Sequence, residues 1–191
     1  MYYIQIMMER NALLKVMAQV LVNASTSYSV HETAKKSGVS VFSAKHALDH
    51  LYRNGMISLK KIGRTYQYKA DLDCYLTRQW KVLFSVEGLH AARLVESLLK
   101  KSKSISSILL YGSAAMGKDD ESSDLDILII ADVDPAVKKG LLSLAKGIGR
   151  EVNIQVYAPS EWRKKATVDK AFYDNVIVDS IILFGQKPVV L

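Results

Sequence analysis

Apolar positions near the start of the chain recur at helical spacing. Leu13, Leu14, Val16, Met17, Val20 and Leu21 form a broad stripe, which predicts a helix over about Met8–Asn23. Ser25-Thr26-Ser27 interrupts it. Ser29, with Glu32 three residues on, has the form of a capping box and opens a short second helix to about Lys36. Ser37-Gly38-Val39-Ser40 reads as a tight turn, in which Gly38 closes one helix and Ser40 caps the next. The third helix is expected from Val41 to Asn54, with Ala44, Ala47, Leu48 and Leu51 on one face. Beyond it the pattern becomes strand-like at Met56–Leu59 and Thr65–Tyr68. Lys60-Lys61-Ile62-Gly63-Arg64 joins the two, which predicts a β-hairpin with a basic tip. Residues 71–101 return to helical spacing, as one long helix or two, broken or bent near Ser85–Gly88. Ile105–Tyr111 and Ile127–Ile130 are apolar runs that read as buried strands. A later strand is expected over Arg150–Tyr157, then a serine-capped helix from Ser160 to Lys170. Val176–Phe184 is a last apolar segment, a strand or a buried helix end, closed by Gly185.

Charge sharpens the picture of the first third. The net charge is +7, and residues 1–70 carry ten Lys/Arg against three Asp/Glu, so the whole excess lies there. Three helices followed by a basic hairpin is the order of a winged helix-turn-helix, which residues 8–70 resemble. In such modules the second helix of the pair enters the major groove and the wing touches the backbone. Lys45, His46, His50 and Arg53 are then groove-facing candidates, and Lys60, Lys61 and Arg64 phosphate contacts. Double-stranded DNA is the expected partner; protein contact or dimerisation is the alternative use of the fold. His46 and His50 have a spacing that can hold a metal, but no third ligand is near, and an exposed polar face is the preferred reading.

With 49% hydrophobic residues the chain can bury a real core, and no apolar run approaches the roughly 18–20 residues that span a bilayer. Met1–Met8 is apolar but short, and is expected to be the lead-in to the first helix rather than a signal peptide. The single cysteine, Cys74, excludes an internal disulfide, and a reducing, cytoplasmic setting is expected.

The strand Ile105–Tyr111 runs into Gly112-Ser113-Ala114-Ala115-Met116-Gly117. A polar stretch, Lys118–Ser123, follows, and Asp124-Leu125-Asp126 opens the next apolar run. Residues two apart on a strand point to the same side, so Asp124 and Asp126 present two carboxylates together. Such carboxylates repel unless a cation stands between them. Oxygen ligands of this kind favour Mg²⁺ or Mn²⁺, which also take phosphate oxygens. Gly112 lets backbone approach a phosphate, Ser113 adds a hydroxyl, and the short helix after them offers free N–H groups. A metal-bound nucleoside triphosphate fits this set.

The arrangement resembles the DNA polymerase beta-like nucleotidyltransferase superfamily, in particular its minimal nucleotidyltransferase members. The resemblance covers about residues 90–185. Its signature is a Gly-Ser turn, a second Gly and Ser-Asp-x-Asp, here Gly112-Ser113, Gly117 and Ser123-Asp124-Leu125-Asp126. The resemblance implies transfer of a nucleoside monophosphate from an NTP, with Asp124 and Asp126 as catalytic metal ligands and Gly112 and Ser113 on the nucleotide. Two departures stand out. Many relatives carry Arg where this chain has Met116, so a basic contact to the nucleotide is either absent or supplied by Lys118. The family's third carboxylate aligns with Asn153, which cannot take a proton. Gln155 is next on that face, and Glu151 and Glu161 are the nearby acids. Either the chain is an enzyme, or the domain is catalytically degenerate and senses a nucleotide or acts as a scaffold in a DNA-binding regulator.

The expected fold class is therefore α/β (α+β). A winged helix-turn-helix spans residues 1–70, connecting helices span 71–104, and a nucleotidyltransferase-like mixed sheet flanked by helices spans 105–191. A homodimer is a possible assembly.

Overall fold

The computed structural model describes residues 11–145 and 150–190. The expected lead-in over Met1–Met8 and a helix start at Met8 lie outside the described residues. The chain divides into two compact units. One comprises residues 1–84 with 117–122, the other 85–116 with 123–191.

In the first unit, α1 (Ala12–Val22) begins where Asn11 Oδ1 accepts from the N–H groups of Leu13 and Leu14, at 2.9 and 3.3 Å. Val16, Met17, Val20 and Leu21 form its buried stripe. The capping box of α2 (Val30–Ser37) is present in full, with Ser29 N–H donating to Glu32 at 2.8 Å and Glu32 N–H to Ser29 Oγ at 3.3 Å. Ser40 Oγ accepts from Ser43 N–H at 3.0 Å and opens α3 (Val41–Arg53), whose inner face is the expected Ala44, Ala47, Leu48 and Leu51. The hairpin pairs β1 (Ile57–Ile62) with β2 (Thr65–Ala70) through a two-residue turn, Gly63-Arg64. Tyr28 and Tyr68 exchange backbone hydrogen bonds of 2.8 Å each way, which ties the hairpin to the segment between α1 and α2.

Helix α4 (Tyr75–Ala91) follows. It runs unbroken through Ser85–Gly88, contrary to the bend expected there. The interruption falls at Arg93, whose φ of 52° lets the chain turn before α5 (Leu94–Lys101). Leu89, Leu94 and Leu98 are all buried, so the turn keeps one apolar face inward on both sides.

Two polar contacts tie residues 117–122 into the first unit, and one of them is buried. Lys81, on the same face of α4 as Thr77 and Phe84, is 1% exposed. Its ammonium donates to the Leu21 carbonyl at 3.0 Å and lies 3.3 Å from the equally buried carboxylate of Asp119. Glu121, from the same short segment, accepts from the hydroxyls of Ser25 and Thr26, at 2.5 and 2.6 Å. Burial would raise its pKa, but those hydroxyls and nearby backbone amides together hold it at about 2.

The second unit is a four-stranded mixed sheet in the order β5 (Val152–Tyr157), β4 (Leu125–Ala131), β3 (Ile105–Tyr111), β6 (Ile181–Gly185). β4 and β5 are parallel; β3 is antiparallel to both its neighbours. Between β3 and β4 stands a single helical turn, α6 (Gly112–Ala115). Ile108, Leu110, Ile127, Ile129, Ile154 and Val156 pack on one side with α5 and α7 (Pro135–Leu142). Leu109, Leu128 and Ile130 pack on the other with Trp162 and Tyr173 of α8 (Pro159–Val168) and α9 (Lys170–Asp179). The serine cap expected for α8 is absent. The helix starts one residue earlier, at Pro159, and Glu161 accepts from Ala158 N–H at 2.8 Å in its place. The apolar stretch Val176–Phe184 is both things expected of it, the end of α9 and then β6.

Because the Lys81–Asp119 pair is fully buried, Lys81→Met or Asp119→Leu alone removes one half of the pair and keeps the other half's charge in the interior. Each is expected to destabilise the first unit by about 3–5 kcal/mol. The double variant is expected to lose clearly less than the sum. A double-mutant cycle by urea denaturation checks this. Glu121→Gln should lower stability at neutral pH, because a depressed carboxylate pKa stabilises the fold above the ordinary value of about 4.5. The difference from wild type should shrink as pH falls from 4.5 towards 2, measured by thermal melts.

Candidate functional site

Asp126 sits at the head of the central strand β4, flanked by Tyr111 on β3 and Asn153 on β5. Asp124 precedes the strand by one residue and is exposed, whereas Asp126 is half-buried. The residue between them, Leu125, is buried in the core, as the alternation requires. Burial pushes the Asp126 carboxyl above the usual carboxylate range; the amide of Asn153 opposes this and the charge of Asp124 adds to it. The phenol of Tyr111 is likewise pushed up, by burial and then by the charge of Asp126. The charge on Asp126 is thus disfavoured where it stands, by burial first and by the neighbouring Asp124 after it.

Gly112 faces this pair. Its φ is +75°, and a Cβ added there would collide with Oδ2 of Asp126 and stand 3.3 Å from Cγ. No other residue fits without moving the carboxylate. The Gly-Ser turn and the Asp-x-Asp strand are therefore one site, joined through Gly112. Ser113 is the second residue of the single turn of α6, which is too short for a strong helix dipole. Ser123, just before Asp124, accepts at its carbonyl from Arg150 at 2.6 Å, which fixes the approach to the strand.

Asn153 stands beside Asp126 in the register of the parallel pair, and its Nδ2 donates to Asp126 Oδ1 at 3.0 Å. The amide replaces an acid where the sequence aligned one. Gln155, the next residue on that face, accepts from Tyr157 at 2.9 Å. Glu151 is exposed, and Glu161 is engaged in capping α8. Among the described residues, no group of three or more His, Cys, Asp or Glu side chains could hold a metal ion. Two carboxylates and an amide do not enclose a cation. They fit Mg²⁺ or Mn²⁺ that arrives with phosphate oxygens and waters of its own, the way Mg²⁺ is usually held.

The second glycine of the motif has a different role. Gly117 has φ +65°, and a Cβ there would collide with the backbone carbonyl of Arg78 on α4. Gly117 permits close packing within the first unit. Lys118 is exposed in the same segment, residues 117–122. By its sequence this segment is a polar loop. The signal that points the other way is Lys81, a lysine on the apolar face of α4, which asks for a buried acid.

The other candidates lie on the first unit. Lys45, His46, His50 and Arg53 are all exposed on α3, and Lys60, Lys61 and Arg64 are exposed on the hairpin. Lys45 is paired with Asp49 one turn on, and Lys61 lies 5.8 Å from the ring of Tyr66. No helix among the described residues is long and apolar enough to cross a membrane.

Residues 94–187 match the family described as polymerase beta, nucleotidyltransferase. No curated protein matches the chain. Among solved structures, a toxin–antitoxin with AMP-PNP is 19% identical, with a TM-score of 0.37 over 50% of this chain and 74% of that one. A mutant of the toxin–antitoxin MntA-HpeT is 17% identical, also with a TM-score of 0.37 over 50% and 74%. TrmBL2, an archaeal chromatin protein whose structure shows a novel mode of DNA binding, is 16% identical, with a TM-score of 0.27 over 88% and 70%. At these scores the three likenesses carry no weight for function. The family match and the geometry of Gly112, Asp124 and Asp126 agree that this segment of the chain carries a nucleotidyltransferase-like domain.

Proposed function

We propose that the second unit binds a metal-bound nucleoside triphosphate at Gly112, Ser113, Asp124 and Asp126 and transfers its nucleoside monophosphate to an acceptor hydroxyl. The observation that supports this is the close approach of Gly112 to the Asp126 carboxylate, which brings the Gly-Ser turn against the Asp-x-Asp strand. Bound Mg²⁺ would neutralise triphosphate charge and polarise the phosphorus under attack. Asp124 and Asp126 would hold it, and Gly112 and Ser113 would position the phosphates. The acceptor oxygen bonds to the α-phosphorus, the bond to the β-phosphate bridging oxygen breaks, and pyrophosphate leaves with that electron pair. The hydroxyl proton passes to solvent, since Asn153 cannot take it. We further propose that the first unit is a winged helix that binds double-stranded DNA through α3 and the hairpin, in a cytoplasmic protein.

Asn153 favours a second reading, in which the site binds the metal–NTP and signals its presence without transfer. Incubation with labelled NTPs, Mg²⁺ and cell extract separates the two. Label transfer that vanishes in Asp124→Ala and Asp126→Ala supports the enzyme; metal-dependent NTP binding without transfer supports the sensor; no NTP binding removes both.

Asp126→Asn should cut metal-dependent NTP affinity by roughly 100-fold or more, since losing even groups that orient metal ligands costs about 10–100-fold. Without metal the same variant should be the more stable protein at pH 7. A carboxyl whose folded pKa is raised costs stability as pH climbs through and above the ordinary carboxylate range, and Asn removes that cost. Thermal melts against pH, with and without Mg²⁺ and NTP, read both effects.

Lys60→Ala/Lys61→Ala/Arg64→Ala should weaken DNA binding on every sequence alike. The slope of log affinity against log salt should fall by about 2–3, close to 0.9 for each phosphate that is no longer neutralised. Gel shifts at several salt concentrations measure it, and an unchanged slope would contradict the wing assignment.

A further inference from the structure

Phe42 is 81% exposed, the most of any large apolar side chain among the described residues. The core does not need it. Ala44, Ala47, Leu48 and Leu51 already fill the inner face of α3 and are at most 3% exposed. Phe42 is the second residue of that helix, in the turn fixed by Ser40, whose hydroxyl accepts from Ser43 N–H and lies 2.8 Å from the Ser43 hydroxyl. The half-exposed Val41 precedes it, and Lys45 and His46 follow on the outer face. Charged side chains meet phosphates, but a phenyl ring has nothing to offer one. A recognition helix meets base edges with its N-terminal residues. On those edges the apolar group in the major groove is the 5-methyl of thymine, which Phe side chains contact. The positive excess of residues 1–70 favours a polyanion over an apolar protein surface as the occupant.

We propose that Phe42 reads the 5-methyl group of thymine, so that the DNA site requires thymine at one fixed position opposite the start of α3. This rests on the reading of the first unit as a DNA-binding winged helix, and it adds what that unit selects. Phe42 also borders a groove with Ala12, Leu13, His46 and Ala47.

The experiment starts with selection of duplexes from a random pool by the full chain. The best duplex is then remade with uracil for thymine, one position at a time, which deletes a methyl and leaves base pairing intact. One position is expected to lose about fourfold in affinity, the value of one buried methyl-sized group. Phe42→Ala should bind the thymine and uracil duplexes equally, and Phe42→Leu should keep part of the preference. The ring is exposed, so these variants should melt as wild type does. Equal affinity of the wild type for all uracil duplexes overturns the proposal. So does a discrimination that survives in Phe42→Ala. If Phe42→Ala instead changes the oligomeric state and leaves the thymine preference unaltered, the ring seats a second copy and the proposal falls. Failure to enrich any duplex, by contrast, removes the DNA-binding reading itself.

Discussion

The second unit is organised around a repulsion. Asp126 is held at the head of β4, and the charge of the exposed Asp124 just before the strand acts on it. Leu125, Ile127, Leu128, Ile129 and Ile130 anchor the strand on both faces, each at most 3% exposed. Burying each side chain contributes about 1.5–3 kcal/mol. The repulsion of two nearby charges at a protein surface is on the order of 1–4 kcal/mol. The strand therefore wins and the carboxylates stay. A strand end that keeps its carboxylate under this strain suits the cation of the proposed function.

Asn153 changes the character of that site without changing its shape. An amide can stand in the parallel register beside Asp126 and donate a hydrogen bond where an acid would add a third negative charge. It lessens the repulsion and supplies no base. On the proposed function, binding and proton removal are thus separable: the first is assigned to Gly112, Ser113, Asp124 and Asp126, and Asn153 on β5 offers no base for the second.

Much of this was legible in the sequence because the signals are local. The capping box of Ser29 and Glu32, the cap at Ser40, the inner face of α3 and the hairpin follow from spacing of three, four or two residues. The Gly-Ser turn and the Asp-x-Asp strand were equally plain, and the register of β5 puts Asn153 where alignment placed it. What failed was non-local. Gly88 is tolerated inside α4 because buried residues on either side hold the helix, and the break moved to Arg93. Glu161, read as a spare acid, satisfies the start of α8. The loop after Gly117 looked solvated because its residues are polar, yet Asp119 is buried by a lysine 38 positions away (Lys81) that no short window connects to it.

That loop makes the chain indivisible. Residues 117–122 are encoded between the two halves of the nucleotide motif, but they complete the first unit, giving Lys81 its counter-charge and Ser25 and Thr26 their acceptor. A fragment ending at Phe84 keeps all three helices and the hairpin and still takes a buried ammonium away from its carboxylate. A cut that kept the first unit whole would have to fall inside the Gly-Ser to Asp-x-Asp segment. The two units are therefore interleaved in sequence, and the first is completed only by residues that lie within the span of the second.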